Sequence, residues 1–351
     1  MESIKEVARL LSMAANCAPS ADNSQPWRMR FDGEALELAY DNARVSGLTF
    51  DQDNPATLLA MGAAIENIYQ AAHAMGIPLN EEPPTGNCYF RVRIDSGVEY
   101  GVALATDHPL FARHTNRQRY LTKPVPGALV EWVTSQAEGD ARARILTTNQ
   151  DIKGLAHLVD EASAIRFQSK EMHEILGRSL RFTPEEVSSG DGLDVSTFNL
   201  PPGGRMMMRL VREWSRMAAL NRLGAYRLFA NLESQTFVNA SASIVITAPP
   251  GRDEALSAGR LLERVWIELN RAGLAVHPFY VVSDLGFRLR DHNLPADLHE
   301  QTKDVIAARE EMLGLGDRSL YMLLRVGYPT KVPVRAKRLP LEKLLDIRTK
   351  V

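Results

Sequence analysis

The chain has 351 residues, of which 45% are apolar, and this is enough to bury one large core or two to three smaller ones. Its formal net charge of −2 gives no electrostatic reason to expect nucleic acid or an anionic membrane as the main partner. Its two cysteines are too few for a disulfide framework and favour a reducing cytoplasm. The charged N-terminus lacks the apolar stretch of a signal peptide, and no apolar run approaches the ~20 residues of a spanning helix. We therefore expect a soluble, cytoplasmic protein.

Hydrophobic periodicity predicts helices and short strands from the N-terminus onward. In chain order these are a helix over 3–16, a polar turn over 18–26, strands Trp27–Phe31 and Ala35–Tyr40, a helix over 56–75 and strands over 88–94 and 99–105. Gly76 is a plausible stop for the second helix, because glycine adopts the left-handed conformation that ends helices.

The remainder of the chain begins with a basic loop over 113–119. The predicted elements after it are a helix over 127–137, a strand over 143–147, a helix over 151–176, a Gly-, Ser- and Pro-rich loop over 180–205, a helix over 206–233, a strand over 243–247, a helix over 257–272, a strand over 321–326 and a basic, Pro-rich tail.

Two of the predicted helices share a sequence pattern. When Gly62 is set against Gly259, Glu66 falls on Glu263 and Tyr69 on Trp266. The same register aligns the remaining matches, Ile65 with Leu262, Ile68 with Val265, Gly76 with Gly273 and Ile77 with Leu274. Two ordinary amphipathic helices that each end in glycine would also give this pattern. The favoured interpretation is two copies of one core helix about a pseudo-twofold axis, as in a fused homodimer.

The polar run Pro19–Trp27, with the sequence PSADNSQPW, is the strongest local signal for chemistry. It follows a helix directly and offers hydroxyl, amide and backbone groups on a tight turn. Such groups suit a ligand that needs several neutral hydrogen bonds, for example a flavin ribityl chain or ring edge. A helix-terminal turn with side-chain to backbone hydrogen bonds is the structural alternative.

Three motifs resemble those of the FMN-dependent nitroreductases. APSADNSQPW is similar to that family's flavin-site loop. Arg113-His114-Thr115-Asn116-Arg117, followed by Tyr120 and Pro124-Val125-Pro126, is similar to its arginine motif. The run Arg335–Glu342, RAKRLPLE, is similar to its basic C-terminal end, and Gly273-Leu274 ends a helix as its G-L-G segment does. Here the loop precedes the arginine motif, an order that resembles the Acg-type tandem nitroreductases.

This resemblance implies an α+β fold made of two pseudo-symmetric nitroreductase-like halves, at 1–107 and 108–351, with a lid or insertion at 180–235. In the family each flavin lies between two subunits. The second half would supply the cofactor-binding residues Arg113, His114, Thr115, Arg117, Gly273, Leu274, Arg335, Lys337 and Arg338, and the first half Pro19, Ser20, Asn23 and Gln25. Neither half carries the complementary motif for a second site, so we expect one FMN per chain.

Charge suggests the role of each cation. Arginine binds phosphate through its fork of donors, so Arg113 and the Arg335–Arg338 cluster are the phosphate candidates. Arg117 is the preferred cation for the flavin N1–C2 edge, with Arg113 second. The spacing from Arg117 to Tyr120 exceeds the usual motif by one residue, so Arg119 could exchange roles with Arg117.

Two further features allow two interpretations each. His277 is either a substrate contact or a structural histidine. Met206–Met208 begin a basic helix that either lies on a membrane surface or packs over the site with methionines filling irregular space. No histidine or cysteine cluster predicts a metal site.

The function implied by the resemblance is an oxidoreductase that uses NAD(P)H and FMN to reduce a nitroaromatic, quinone or similar acceptor in a ping-pong cycle. The flavin N5 carries the chemistry, so no catalytic side chain is predicted. A flavin-sequestering protein with a lid and little turnover, and a flavin oxidase or dehydrogenase that tailors a natural product, are the alternatives. The chain is expected to be a monomer with pseudo-dimer architecture or a homodimer.

Overall fold

The computed structural model describes residues 2–95 and 103–348 and has an α+β fold, as predicted. The helices are α1 (Glu2–Asn16), α2 (Asn42–Val45), α3 (Pro55–Ala74), α4 (Pro109–Ala112), α5 (Gly127–Ser135), α6 (Asn149–Gln168), α7 (Lys170–Ser179), α8 (Pro184–Ser188), α9 (Gly204–Val211), α10 (Trp214–Asn221), α11 (Ala225–Ser234), α12 (Arg252–Arg271), α13 (Val281–Arg290) and α14 (His299–Leu313). The strands are β1 (Trp27–Phe31), β2 (Ala35–Tyr40), β3 (Asn80–Glu82), β4 (Cys88–Arg93), β5 (Tyr120–Leu121), β6 (Ala137–Glu138), β7 (Ala141–Leu146), β8 (Leu180–Arg181), β9 (Leu193–Asp194), β10 (Ala242–Ala248), β11 (Ala275–Phe279), β12 (Ser319–Pro329) and β13 (Leu345–Ile347).

Two sheets have equivalent strand orders. The first has the strand order β13-β1-β2-β4-β3 and the second has β6-β7-β10-β12-β11. Helix α3 connects β2 to β3 as helix α12 connects β10 to β11, and α1 precedes β1 as α5 precedes β7. The neighbouring pairs from β1 to β3 and from β7 to β11 are all antiparallel. The fold therefore consists of two pseudo-symmetric halves in one chain.

Helices α3 and α12 pack against each other between the two halves, and their glycines meet reciprocally. A Cβ atom on Gly62 would lie 2.1 Å from the carbonyl oxygen of Leu256, and one on Gly259 would lie 2.3 Å from that of Leu59. Each contacted leucine is three residues before the other glycine. This reciprocity is what a pseudo-twofold axis produces, and it matches the register of the sequence repeat.

The C-terminal tail crosses from the second half to the first. Strand β13 pairs in parallel with β1, with Met29 opposite Leu345 and Phe31 opposite Ile347. The amide side chain of Asn16 at the end of α1 donates to the carbonyl oxygen of Leu339 at 2.9 Å and accepts from Trp27 Nε1 at 3.2 Å. The tail is therefore part of the first half's sheet and also passes the polar loop after α1.

Most predicted elements are confirmed within a few residues, but the long helices are divided. The helix predicted over 151–176 is α6 and α7, because Ser169 is extended and accepts the amide N–H of Met172 as the cap of α7. The helix predicted over 206–233 is α9, α10 and α11, because Glu213 is extended and Gly224 is left-handed. Most of the predicted strand over 99–105 lies outside the described residues, and 103–105 are not in a strand.

The predicted loop over 180–205 contains structure of its own. Strands β8 and β9 pair in parallel, and a small apolar core surrounds them, formed by Leu180, Phe182, Leu193 and Val195. A capping box at Thr183 and Glu186 begins helix α8. Glycine, serine and proline favoured a loop, and the apolar residues of this core form two pairs spaced two residues apart, each too short a run to predict a strand.

Candidate functional site

The loop after α1 has an unusual backbone. Asp22, Asn23 and Gln25 have φ angles of +51°, +56° and +49°. Aspartate and asparagine tolerate this left-handed region, whereas glutamine does so less readily. The Gln25 amide N–H donates to Ser20 Oγ at 2.9 Å, which holds the turn closed. Backbone strain of this kind persists where the surroundings impose it and is common at binding sites.

Asn23 and Gln25 fasten the tail and the segment around Gly190 to this loop. The Asn23 amide nitrogen donates to the carbonyl oxygens of Lys337 at 3.0 Å and Gly192 at 3.1 Å. The Gln25 amide nitrogen donates to the Gly190 oxygen, and its amide oxygen accepts from the Leu339 N–H, both at 2.9 Å. Both side chains are thus engaged by protein groups, and their predicted contact with a flavin stays a prediction.

Arg113 and Arg338 converge on the end of α1. Their guanidinium groups donate to the same acceptor, the carbonyl oxygen of Cys17, at 2.7 and 3.2 Å. Arg338 also donates to Asn23 Oδ1 at 2.6 Å. Among the described residues, the carboxylate paired with them is that of Glu263, whose Oε1 atom lies 2.9 Å from Arg113 Nε in a buried ion pair.

This cluster carries more positive than negative charge. Burial raises the pKa of Glu263 to about 7, although Arg113 opposes the shift, so this carboxyl is only partly ionised at neutral pH. Burial, followed by repulsion from Arg113, lowers the pKa of Arg338 to about 10. Burying a guanidinium without a full counter-charge costs free energy, and a bound anion would lower that cost by neutralising the charge. The cluster is therefore suited to a phosphate.

The pseudo-symmetric position is neutralised instead. Glu66 is the counterpart of Glu263, and its carboxylate lies 2.9 Å from Arg264 Nε and 3.6 Å from Arg260 Nε. Glu138, on the connection from α5 to β7, binds the same two arginines at 2.6 and 2.7 Å. Because two carboxylates balance two guanidinium groups, this position offers no excess positive charge to an anion.

A second group of polar side chains lies next to the loop. Asp22, Arg117 and His277 are each partly buried, and the charge of Arg117 acts on both of the others, so the three lie close together. Burial lowers the pKa of Arg117 to about 10, and burial with Arg325 and Arg117 lowers that of His277, which is therefore a neutral imidazole at pH 7. Its Nδ1 atom has no hydrogen-bond partner among the described residues.

Residues of the predicted lid cover Arg117 and the C-terminal tail. Arg117 donates from Nη1 to Thr197 Oγ1 at 3.2 Å, and its guanidinium lies 4.8 Å from the centre of the Phe198 ring. Gly190 packs so closely on the tail that a Cβ atom there would lie 2.4 Å from the Arg338 carbonyl oxygen. The candidate lid therefore contacts both the polar loop and the two arginines Arg117 and Arg338.

The other predicted site residues lie around the same loop. Arg335 donates to the carbonyl oxygens of Phe111 and Ala112 at 2.8 and 2.5 Å, and Thr115 forms a backbone bridge with Val276. The remaining members are His114, whose Nδ1 is 2.7 Å from the Ala112 oxygen, half-buried Pro19, exposed Lys337, Gly273 with φ +78° at the end of α12, and buried Leu274. Arg119 is exposed, so the geometry favours Arg117 over it.

Sequence reasoning missed three buried charges at this site. Glu263 was noticed only as part of the repeat, and Asp22 only as a member of the polar run. Arg325 is fully buried in β12, packs 3.7 Å from the centre of the Tyr120 ring and donates to the Gln118 carbonyl oxygen. A charged residue inside the apolar strand sequence YMLLRV was the signal that could have identified Arg325.

A separate cleft of about 1040 Å³ lies at the N-terminal ends of α3 and α12. It is lined by acidic and basic side chains in similar number, namely Asp51, Asp53, Asp291, Arg252 and Arg290. The described residues contain no cluster of three or more potential metal ligands. Nor does any helix in the described part of the chain have the length and apolarity to cross a membrane.

Asp22 predicts a pH dependence of stability. Burial raises the pKa of its carboxyl from 3.8 to about 6, so between these values the folded chain binds more protons than the unfolded chain. The contribution of Asp22 to stability must then fall as pH rises through this window. Asp22→Asn is expected to make the decline of stability shallower between pH 3.8 and about 6 and to leave the part due to Glu263, whose pKa is also raised; urea unfolding at several pH values measures the difference. An identical decline in the variant and the parent chain would contradict the buried position of Asp22.

Comparison with known proteins adds to these observations. No protein-family model matches the chain. It is 27% identical over 282 residues to MT1398, an uncharacterized protein of Mycobacterium tuberculosis (strain CDC 1551 / Oshkosh), across 77% of this chain and 38% of MT1398. It is 28% identical over 169 residues to "Putative NAD(P)H nitroreductase MT3217" of the same strain, across 44% of this chain and 48% of that protein. The chain resembles the FMN-dependent nitroreductases. It spans less than half the length of either relative.

Solved nitroreductase structures are less similar to this chain in sequence. A nitroreductase with bound FMN from Bacteroides fragilis NCTC 9343 is 10% identical, with 68% of this chain and 96% of that chain covered and a TM-score of 0.37. NfnB from Mycobacterium smegmatis, in complex with NADPH, is 18% identical, with 68% and 95% covered and a TM-score of 0.38. The two halves of this chain are defined by its own sheets and central helices.

Proposed function

We propose that this chain is an FMN-dependent oxidoreductase that uses NAD(P)H to reduce a nitroaromatic, quinone or similar acceptor. The observation that carries the proposal is the excess positive charge where Arg113 and Arg338 meet beside the polar loop. The nitroreductase resemblance supports it, because the same arginines and the same loop carry that resemblance.

The residues present fit FMN. Arg113 and Arg338 would hold the phosphate dianion, with Arg335 at the rim of the cluster. The Ser20 hydroxyl accepts one backbone N–H and keeps its own proton to donate to the ribityl chain or ring. The space between Asp22, Arg117 and His277 would receive the ring, with Arg117 as the cation at its N1–C2 edge. One half would thus contribute the loop and the other half the arginines.

Bound FMN would accept and donate the hydride. The chain's own residues therefore have to bind the flavin, orient the substrate and shield the ring from water. Arg117 is a fixed cation in a water-poor space and stabilises negative charge there without reorganisation. Thr197 and Phe198 cover it and exclude water. Neutral His277 offers a hydrogen-bonding atom to the acceptor, with Nδ1 unpartnered among the described residues.

We further propose that the halves extend over 1–107 and 108–351 and that each chain binds one FMN. The balanced cluster of Glu66, Glu138, Arg260 and Arg264 supports a single site, because it leaves the second position without charge for a phosphate.

A flavin-sequestering protein with little turnover is the second candidate, and the lid contacts favour it. The segment around Gly190 is hydrogen-bonded to Asn23 and Gln25, and Phe198 covers Arg117, so the lid is closed over both ends of the site. A lid that stays closed would keep a nicotinamide from the ring.

Visible absorption spectroscopy under anaerobic conditions tests the proposed function. The purified chain, loaded with FMN, is expected to show flavin bands that bleach on addition of NADPH or NADH and return on addition of menadione or a nitroaromatic. Bands that persist in excess NADPH and NADH would overturn the reductase proposal in favour of sequestration. A chain that binds no FMN would overturn both.

Gly190→Ala separates lid closure from cofactor binding. Its φ of +85° disfavours other residues, and the added Cβ would collide with the tail. The variant is expected to hold the lid less tightly, so bound FMN exchanges faster with free FMN and the segment 180–212 is cleaved faster by trypsin. If the closed lid limits turnover, bleaching by NADPH also becomes faster.

Gly203→Ala is the matched control, because Gly203 has a similar φ of +79° but nothing within 4 Å of an added Cβ. It carries the same backbone strain without the collision. Equal FMN exchange in the Gly190 and Gly203 variants would contradict the proposed lid contact.

A further inference from the structure

Exposed apolar side chains are concentrated in one short part of the chain. Of the twelve exposed large apolar residues among the described residues, seven lie within 206–238, namely Met206, Met207, Leu210, Leu223, Leu228, Leu232 and Val238. Met206 is 77% and Leu223 is 86% exposed. Scattered single exposed leucines are ordinary, but a concentration of this kind marks an interaction surface.

These residues lie on helices α9 and α11 and on the turns that follow α10 and α11, while α10 between them carries exposed Arg216. On α11, Arg227, Leu228, Asn231 and Leu232 are all exposed, and their spacing puts them on one face of the helix, while Ala230 and Ser234 are buried against the protein. Met206 and Met207 therefore do not fill irregular space as the sequence suggested. Of the three methionines, only Met208 packs on the lid's small core.

The same helices carry unpaired positive charge. Residues 204–238 contain six arginines and two glutamates, a net charge of +4, so the rest of the chain carries −6. The arginines are Arg205, Arg209, Arg212, Arg216, Arg222 and Arg227, and no described carboxylate lies within ion-pair distance of any of them. Most arginines elsewhere in the described residues do have such partners, as Arg113 and Arg264 do.

The charge limits what can cover this surface. A second copy that docked through the same helices would place six arginines against six, with only Glu213 and Glu233 to offset them, and Glu233 already pairs with Arg166. The required partner is apolar where the leucines and methionines lie and acidic around them. Basic amphipathic helices with exposed leucine and methionine have these properties toward an anionic lipid bilayer.

We propose that helices α9, α10 and α11 form a docking surface for an anionic membrane. Leu223, Leu228, Leu232 and the exposed methionines enter the boundary between headgroups and acyl chains, and Arg216, Arg222 and Arg227 bind lipid phosphates. The other three arginines, Arg205, Arg209 and Arg212, contact Phe182 or Gly177 of the protein. The overall net charge of −2 did not indicate this surface, because the net charge of +4 on residues 204–238 is offset by −6 on the rest of the chain. The three helices lie within the candidate lid at 180–235, but the proposal does not depend on flavin binding.

Cosedimentation of the full chain with vesicles tests the proposal. The chain is expected to bind vesicles that contain phosphatidylglycerol, to bind phosphatidylcholine vesicles much less, and to be released by about 1 M NaCl, where the Debye length is ~3 Å. The triple variant Arg216→Gln, Arg222→Gln, Arg227→Gln is expected to bind roughly a hundredfold more weakly, at about a factor of five for each arginine.

A second variant tests the apolar part of the surface. Leu228→Ser with Leu232→Ser replaces exposed side chains, so folding is preserved, and it is expected to weaken binding at least tenfold. Val332→Ser with Val334→Ser is the matched control, because both valines are exposed but lie outside these helices, and it is expected to bind as the parent chain does. Absence of binding to phosphatidylglycerol vesicles would overturn the proposal. If the chain instead dimerises in a concentration-dependent way, and the Leu228→Ser, Leu232→Ser variant abolishes this, the membrane proposal would be overturned. The surface would then bind a second copy of this chain.

Discussion

Gly62→Ala is expected to lower the free energy of unfolding by about 3 kcal/mol or more, at or above the upper end of the usual effect of overpacking. The added Cβ would lie 2.1 Å from the Leu256 carbonyl oxygen and 2.9 Å from its carbonyl carbon. Because these atoms are backbone, no side-chain rotation relieves the overlap, and the two central helices have to separate. Chemical denaturation of the parent and the variant measures the difference.

Gly127→Ala is the control for that experiment. Gly127 begins helix α5, and an added Cβ there meets nothing within 4 Å. This variant is expected to be as stable as the parent or slightly more stable, since alanine loses less conformational freedom than glycine on folding. Because of the pseudo-symmetry, Gly259→Ala is expected to lower the free energy of unfolding by a similar amount to Gly62→Ala. Its Cβ would lie 2.3 Å from the Leu59 carbonyl oxygen. A small effect in either variant would contradict the close approach of α3 and α12.

Arg338→Met is expected to weaken FMN binding by roughly a hundredfold, about 3 kcal/mol, as the loss of charge-assisted hydrogen bonds to phosphate requires. Without ligand the same variant should lose little stability, because it also removes a buried cation that Glu263 balances only in part. Fluorescence titration with FMN and thermal unfolding without it measure the two effects. A large loss of stability with unchanged FMN affinity would show that Arg338 is a structural residue.

Arg264→Met is the matched comparison at the pseudo-symmetric position. It leaves Glu66, which is buried, with Arg260 alone, and Glu138 loses one of its two partners. Breaking a buried pair in this way is expected to cost about 3 kcal/mol of stability. FMN affinity should stay unchanged, because Arg264 binds Glu66, Glu138 and the Ala137 carbonyl oxygen rather than any residue of the proposed phosphate cluster. The contrast between the two variants distinguishes a binding cluster from a structural one.

The central architecture could be predicted from the sequence because two signals agreed. The repeat aligned Gly62 with Gly259, and the structure shows that each glycine permits the approach of the other helix. The three motifs brought Arg113, Arg338 and the polar loop into one hypothesis, and the structure places them in contact through Cys17 and Asn23.

Other features of the site could not be predicted, because they depend on contacts between distant parts of the chain. The hydrogen bonds from Asn23 and Gln25 to Gly190 and Gly192 join residues more than 160 positions apart, and no local pattern encodes them. The partial ionisation of Glu263 follows from its depth in α12, which its place in an amphipathic pattern does not reveal. The sequence also did not predict the breaks in the long helices at Ser169 and Glu213, because serine and glutamate occur within helices as well as at their ends.

Exposure on α9, α10 and α11 is a third feature that needed the structure. The methionines and leucines of this region have a helical period, which is equally typical of a buried face. Only the packing of α11 on the protein through Ala230 and Ser234 shows that Leu228 and Leu232 face outward.

The number of FMN molecules bound per chain tests the account most directly. Calorimetric titration of the flavin-free chain with FMN is expected to give one site per chain in the parent and a greatly weakened site in Arg338→Met. Two sites per chain would contradict the neutralised cluster at Glu66, and no binding at all would contradict the composite site formed by the loop of one half and the arginines of the other.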